Sequence, residues 1–282
     1  MRSCTSALVL ALVACGSSNK PAATATPTQA APATNTPAST GPLSEAEFKA
    51  LHEGPADNQA QLHGQTIDLA GTKAYLSLPA GTGPFPGIVV IHEWWGLNDN
   101  IEHWADRLAT AGYAALAVDL YGGAVATTPD QAMQAMKTVD PAKAMTVIKA
   151  AFDYLGSDPA IAAKTRAVIG WCFGGGYSLQ AALALPELDG AIIYYGQLET
   201  DPQQLAHIKA RLLGIFGNED KGIPPEKVNE FDAALTKAGV AHEIFRYDAP
   251  HAFANPSNPK YDEQAAADAW THVLAFLDAL KQ

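Results

Sequence analysis

Two hydrophobic patterns follow one another in the globular part of the chain, which begins near Leu43. Segments 65–69 and 74–78 alternate polar and apolar residues, and they predict an antiparallel hairpin that turns at Gly71. Beyond the hairpin, short and nearly unbroken apolar runs alternate with segments of helical period. Unbroken apolar strands are typical of parallel sheets whose two faces are both covered by helices.

The second pattern sets the predicted class of fold. The predicted strands are 87–92, 113–118, 167–170, 191–195, 212–216 and 242–247. The predicted helices are 100–111, 142–155, 172–185, 225–238 and 262–280. With the hairpin, this order predicts one α/β domain over residues 43–282, with a mostly parallel central sheet of about eight strands and helices on both faces.

The beginning of the chain differs in composition from the rest. Residues 1–15 contain one charge, at Arg2, and a short apolar run that is typical of an export signal. The run ends in Leu-Val-Ala-Cys at Cys15, which resembles a bacterial lipobox and predicts lipidation of that cysteine; an ordinary signal peptide is the alternative. Residues 16–42 are rich in Ala, Thr and Pro, so they predict a disordered spacer behind the anchor.

Charge narrows the range of partners. The chain has 18 Lys and Arg against 29 Asp and Glu, a formal net charge of −11, and no basic run. This balance argues against nucleic acid and against electrostatic docking on anionic lipid, so membrane contact is expected only through Cys15. Of the 3 cysteines, only Cys172 belongs to the predicted domain, which leaves no intrachain disulfide.

The surroundings of Cys172 predict a nucleophile rather than a buried core thiol. Residues 170–176 follow a short apolar strand, open a helix and read GWCFGGG. This is the nucleophile elbow of α/β-hydrolases with cysteine in place of serine, because the glycines leave room for a sharp turn and the helix N-terminus favours a thiolate. A phosphate-binding glycine loop is the rival interpretation, but neither its glycine spacing nor a following lysine is present.

An acid and then a histidine should follow the nucleophile in chain order. Asp220 comes directly after a predicted strand, and Glu219 beside it is the alternative acid. His251 lies between the last predicted strand and the last helix, where the base of this fold belongs. His251 would accept the proton of Cys172, and the acid would orient the ring.

The loop after the strand 87–92 should supply the second half of an oxyanion hole. The backbone N–H groups of Trp94 and Phe173 are the expected donors to the developing negative charge. His92 and Glu93 could suggest a zinc-binding H-E-x-x-H motif, but Gly96 occupies the position of the second histidine. No metal or organic cofactor is therefore expected.

These segments together resemble dienelactone hydrolase over about residues 65–280. The resemblance rests on the loop and helix 91–123, the elbow, the loop GNEDKGIPP around Asp220 and the HAF that begins at His251. It implies Cys172, Asp220 and His251 as a catalytic triad. It also implies that Glu93 contacts the resting thiol and helps to activate it when substrate arrives.

The chain departs from the family where the family's enzymes hold a substrate carboxylate with two arginines. The region 127–155 before the elbow contains Lys137, Lys143 and Lys149 but no arginine, and Asn255 stands after the base loop. A lysine does not replace the two-pronged arginine side chain, so neutral substrates are expected. Four aromatic residues could line an apolar pocket or could simply belong to the core: Trp94, Trp95, Tyr121 and Tyr195.

The sequence therefore predicts hydrolysis of a small ester or lactone through a thioacyl-enzyme. Two alternatives remain open, a thioesterase or acyltransferase with the same triad, and a lipid-anchored binding protein that has lost turnover. The order Cys-Asp-His argues against the binding protein, because binding alone does not require a triad.

Overall fold

A computed structural model describes residues 41–52 and 62–282. One sheet of eight strands runs through it. The strands are β1 Gln65–Leu69, β2 Thr72–Ser77, β3 Gly87–Ile91, β4 Ala114–Val118, β5 Arg166–Trp171, β6 Gly190–Tyr194, β7 Arg211–Gly217 and β8 His242–Tyr247. The helices are α1 Glu45–Ala50, α2 Asp99–Thr110, α3 Pro129–Thr138, α4 Pro141–Ser157, α5 Phe173–Ala184, α6 Pro202–Leu205, α7 Pro225–Ala238 and α8 Glu263–Ala279.

The strand order is β1-β2-β4-β3-β5-β6-β7-β8. The hairpin pair β1–β2 and the pair β2–β4 are antiparallel, whereas all pairs from β4 to β8 are parallel. In the centre of the sheet, Val89 lies opposite both Leu116 of β4 and Val168 of β5. The predicted α/β-hydrolase architecture is confirmed, and because the parallel strands share one direction, their carboxyl ends meet at one edge.

Each face of the sheet is covered by its own apolar core. Val89 and Ile91 of β3 pack into the core that contains side chains from α4, α5 and α7, whereas Ile88 and Val90 pack into the other, with side chains from α2 and α8. This alternation follows from the period of two along a strand. All five residues of β3 are buried, which explains why its sequence is apolar without interruption.

The short helix α1 is tied to the domain by a buried ion pair. Glu45 Oε2 lies 2.7 Å from Arg107 Nη2, and both side chains are almost fully inaccessible. The guanidinium also lies over the rings of Phe48 and Trp270, and Tyr261 donates a hydrogen bond to Glu45 at 2.6 Å. A buried ion pair with several further contacts is costly to break from one side, so these residues hold α1 against the body.

The predicted signal, Cys15 and nearly all of the predicted spacer lie outside the described residues. Within the two described ranges, no helix combines the length and the apolar character that crossing a bilayer requires.

Candidate active site

Cys172 stands between the end of β5 and the start of α5, in a conformation that few residues other than glycine adopt. Its φ is 54° and its ψ is −113°. A Cβ on Gly170 would lie 2.2 Å from the carbonyl oxygen of Gly174, and a Cβ on Gly174 would lie 2.3 Å from that of Ile91. Only glycine fits such close approaches of backbone to backbone. The strained turn presents a half-exposed thiol at the carboxyl edge of the sheet.

Asp220 and His251 approach each other from the loops that follow β7 and β8. His251 Nδ1 lies 2.6 Å from Asp220 Oδ2. The other carboxylate oxygen accepts hydrogen bonds from the backbone N–H groups of Gly222, at 2.8 Å, and Ile223, at 3.1 Å. Glu219, the alternative acid, is exposed, so it is Asp220 that contacts the histidine.

The charges of this pair stabilise one another. Burial works to lower the pKa of His251, but hydrogen bonds with Asp220 and Cys172, and their charges, outweigh it and raise the pKa to about 10. Burial works to raise the pKa of Asp220, but His251 and the two backbone donors hold it below its ordinary value. The arrangement therefore favours an aspartate and an imidazolium beside the thiol.

Glu93 is buried on the loop after β3, where it is 4% exposed. Asn255 Nδ2 donates a hydrogen bond to Glu93 Oε2 at 2.5 Å, and Asn255 Oδ1 accepts one from the backbone of Ser257. Burial raises the pKa of Glu93 to about 7, although the amide of Asn255 and the charge of His251 partly oppose the shift. The structure thus gives Asn255 a partner that the sequence did not predict; the expected contact of Glu93 with the resting thiol stays a prediction.

The two backbone N–H groups predicted for the oxyanion hole are both without a backbone acceptor among the described residues. Phe173 is the first residue of α5, so its N–H has no acceptor within the helix. The N–H of Trp94 donates to no backbone carbonyl of the described residues. Both are the groups that the sequence predicted for an oxyanion hole.

Aromatic side chains lie next to His251, Phe173 and Trp94. Tyr195, which is 1% exposed, has its ring 5.0 Å from that of His251. The rings of Tyr121 and Phe173 are 5.4 Å apart, and those of Trp94 and Trp95 are 5.0 Å apart. Tyr195 is therefore a buried core residue that packs against His251, whereas Tyr121, Trp94 and Trp95 are only partly buried.

Two cavities border Tyr121 or Phe173, and neither is lined by Cys172, Asp220 or His251. One, of about 560 Å³, extends from Tyr121 to the start of α4 and has Lys143 in its wall. The other, of about 450 Å³, lies beside Phe173 and is lined by Met136, Tyr177 and Leu198 among others. In residues 41–52 and 62–282, no group of three or more His, Cys, Asp or Glu side chains is arranged to hold a metal ion.

A strained cysteine elbow with a histidine–aspartate pair, on a sheet of this topology, defines the chain as an α/β-hydrolase. The model of the dienelactone hydrolase family matches residues 72–281. The chain therefore belongs to the dienelactone hydrolase family.

Relatives agree with this placement. A carboxymethylenebutenolidase homologue from Synechocystis sp. is 33% identical over 226 residues, 74% of this chain and 91% of its own. A Bradyrhizobium protein named probable 2-oxo-3-(5-oxofuran-2-ylidene)propanoate lactonase is 30% identical over 72% of this chain and 88% of its own. The crystal structure of a dienelactone hydrolase-like promiscuous phosphotriesterase from metagenomic libraries has a TM-score of 0.68 at 27% identity, and the match covers 77% and 98% of the two chains.

Proposed function

We propose that this hydrolase cleaves small esters or lactones through a thioacyl-enzyme formed on Cys172. One observation carries the proposal: the strained thiol of Cys172 interacts with His251, whose Nδ1 lies 2.6 Å from the buried Asp220. A histidine held by an aspartate can take the proton of a neighbouring thiol, and the thiolate that results is the reactive form.

The reaction proceeds in two halves. His251 takes the proton of the Cys172 thiol as Sγ attacks the carbonyl carbon, and the carbonyl oxygen becomes an oxyanion that the N–H groups of Trp94 and Phe173 stabilise. The C–O bond to the leaving group breaks, and His251 gives its proton to the departing oxygen. Water then attacks the thioester while His251 takes the water's proton. The acid leaves, and the thiol is regenerated with the proton from His251.

The assignment of nucleophile and base is tested with matched variants. Cys172→Ala and His251→Gln should each lower kcat/KM for a short p-nitrophenyl ester by about 10⁴-fold or more. The control is His207→Gln, because His207 is exposed and bonded only to the backbone of Gln204; it should keep full activity. Iodoacetamide should inactivate the wild type by labelling Cys172. Near-normal activity of Cys172→Ala would refute the thioacyl mechanism.

Substrate class is decided by a panel of lactones, oxygen esters and thioesters of matched acyl length. A kcat/KM that is highest for oxygen esters or lactones supports the proposal. A clear preference for thioesters, or transfer of the acyl group to an added alcohol or amine in preference to water, would favour the thioesterase or acyltransferase alternative.

We also propose that residues 1–15 direct export and that Cys15 carries a lipid. The support is the sequence Leu-Val-Ala-Cys before a spacer rich in Pro and Thr. Metabolic labelling with palmitate should mark the wild type and Cys4→Ser but not Cys15→Ser. An unlabelled wild type would contradict the anchor.

A further inference from the structure

His92 follows β3 directly and is fully buried, yet the proposed reaction gives it no part. Both ring nitrogens are bonded to backbone groups. Nε2 lies 3.1 Å from the backbone nitrogen of Leu120, and Nδ1 lies 2.5 Å from the carbonyl oxygen of Glu93. Because the N–H of Leu120 can only donate, Nε2 must accept, and the ring proton must be on Nδ1. The carbonyl of Glu93 receives that proton's hydrogen bond.

A neutral ring fits its surroundings. Burial lowers the pKa of His92 to about 4, although the hydrogen bond with Glu93 and the charge of Asp119 partly oppose the shift. An imidazolium would have to donate from both nitrogens, and Leu120 offers no acceptor to Nε2. His92 therefore keeps one tautomer across the pH range in which an esterase of this kind is assayed.

The carbonyl that His92 holds belongs to the same peptide unit as the N–H of Trp94. In a trans peptide the C=O and the N–H point in opposite directions, so a fixed carbonyl fixes the direction of that N–H. Gly96 N also donates to the Glu93 oxygen, at 3.3 Å. Accepting two hydrogen bonds polarises the peptide unit, and this makes its N–H a stronger donor.

The same ring also touches the other donor residue. The ring of His92 stacks on that of Phe173, with centroids 5.6 Å apart and planes 14° apart. It meets Tyr121 edge-on at 4.6 Å. His92 is thus in contact with the loop that carries Trp94 and with the first residue of α5.

We propose that His92 is the positioning residue of the oxyanion hole: its Nδ1–H holds the Glu93–Trp94 peptide so that the Trp94 N–H points at the reacting oxygen. The inference rests on the proposed hydrolytic function. His92 itself touches neither substrate nor thiol and moves no proton.

Two amide substitutions of His92 test the hydrogen bonds of its two ring nitrogens separately. Asn places an N–H₂ donor near the position of Nδ1, so His92→Asn should keep the bond to the Glu93 carbonyl. Gln reaches the position of Nε2, so His92→Gln should keep the contact with Leu120 and lose the bond to the peptide. We expect His92→Gln to lower kcat for a p-nitrophenyl ester by about 10- to 100-fold with little change in KM, whereas His92→Asn stays within about threefold of the wild type.

A second readout distinguishes positioning from general damage to the site. Alkylation of Cys172 by iodoacetamide requires the thiolate but forms no oxyanion, so its rate in His92→Gln should stay within about threefold of the wild type. Binding of a trifluoromethyl ketone, which forms a tetrahedral oxyanion with the thiol, should weaken in parallel with kcat/KM. Full ester activity in His92→Gln, or equal losses of alkylation and hydrolysis in both variants, would overturn the proposal.

A measurement on the wild type does not depend on how the variants fold. ¹⁵N NMR of the histidine rings should show one that remains the neutral Nδ1–H tautomer from pH 5 to 8 and disappears in His92→Asn. The inference would be refuted if the ring whose signal is lost in His92→Asn carried its proton on Nε2 or titrated near pH 6.5. Retained activity in Cys172→Ala would instead refute the proposed function, so the two failures are distinguishable.

Discussion

Asp220 and Glu93 are carboxylates of similar burial, 3% and 4% exposed, but their pKa values move in opposite directions. Asp220 receives the ring of His251 and two backbone N–H groups, which together compensate its charge. Glu93 receives the amide of Asn255. The comparison teaches that burial raises the pKa of both carboxyls, and that the number and charge of the donors decide whether this effect is overcome, as at Asp220, or prevails, as at Glu93.

The difference suits two tasks. Asp220, whose pKa is lowered, can hold the imidazolium of His251 through both halves of the proposed reaction. Glu93, with a pKa of about 7, can be either a neutral or a charged neighbour of the site under ordinary conditions.

Removing the charge of Asp220 should have the largest effect. Asp220→Asn should lower kcat by about 10³–10⁴-fold, because the amide favours the wrong tautomer of His251 and cannot stabilise the imidazolium. The matched control is Glu219→Gln in the same loop, which should change kcat by less than about twofold. Steady-state kinetics with one ester would decide between them, and a reversed ranking would make Glu219 the acid.

A substrate that carries a carboxylate should bind poorly beside Glu93. Residues 127–155 contain no arginine and position 255 is Asn, and two missing charge-assisted hydrogen bonds at about 1.5–3 kcal/mol each correspond to roughly a hundredfold or more in kcat/KM. We expect a carboxylated lactone to react on the order of a hundredfold more slowly than its methyl ester. Because Glu93 ionises near pH 7, the gap should be wider at pH 8 than at pH 6.

Preference for the free carboxylate would contradict this prediction. In that case Lys143→Ala and Lys137→Ala would identify the compensating cation, since Lys143 lines the cavity next to Tyr121.

Replacing Glu93 should stabilise the fold in a pH-dependent way. Its folded pKa of about 7 exceeds the ordinary value of 4.5, so ionisation costs folding free energy that is absent below pH 4.5 and complete above pH 7. The difference corresponds to about 3 kcal/mol. Glu93→Gln, which keeps an acceptor for Asn255, should therefore be about 3 kcal/mol more stable than the wild type at pH 8, and about half of that at pH 5.5. Urea unfolding at both pH values measures the effect.

Asp220→Asn should have the opposite sign. Because the folded pKa of Asp220 is lowered, its ionised form adds stability above the ordinary pKa of 3.8, and this contribution is lost as the pH falls through the folded value. At pH 8, Asp220→Asn should destabilise where Glu93→Gln stabilises. If the two variants changed the free energy of unfolding in the same direction at pH 8, the contrast between the two carboxyls would be wrong.

The smallest effect is expected at Asn255. Asn255→Ala removes the donor to Glu93, which should raise the pKa of that carboxyl further and cost about 1–2 kcal/mol of unfolding free energy at pH 8. The cost should shrink at pH 5.5, where Glu93 is neutral. In the Glu93→Gln background the cost should no longer depend on pH, and a double-mutant cycle at both pH values tests this coupling.

Much of the sheet was predictable because its strands are buried on both faces. The apolar runs that form β3 to β7 can be recognised without knowledge of their partner strands, and their predicted bounds differ from the observed ones by at most one residue at either end. The helix α3 escaped prediction because Ala132 is its single buried residue, so it shows little apolar periodicity. The helix α1, of 6 residues, carries a capping box at Ser44 and Glu47 that could have revealed it.

The candidate site also has a part that could be predicted from the sequence and a part that could not. Cys172, Asp220 and His251 each stand at the carboxyl end of a strand, and that position can be inferred from chain order alone. The pairing of Glu93 with Asn255 joins residues 162 positions apart that no motif links. The role of His92 depends on the backbone of Leu120, and sequence shows a histidine but not the tautomer that its neighbours impose.

The crowded glycines of the elbow also set limits for protein engineering. Gly170, Gly174 and Gly175 each face a backbone atom within 2.2–2.5 Å of where a Cβ would stand, and backbone cannot yield as a side chain can. A mutational library aimed at new substrates should leave these positions unchanged, because nearly every substitution there would disrupt the turn that positions Cys172. The positions to randomise are instead those of Met136 and Leu198, whose side chains line the cavity beside Phe173. Substitutions there change the shape of the cavity without disturbing the turn.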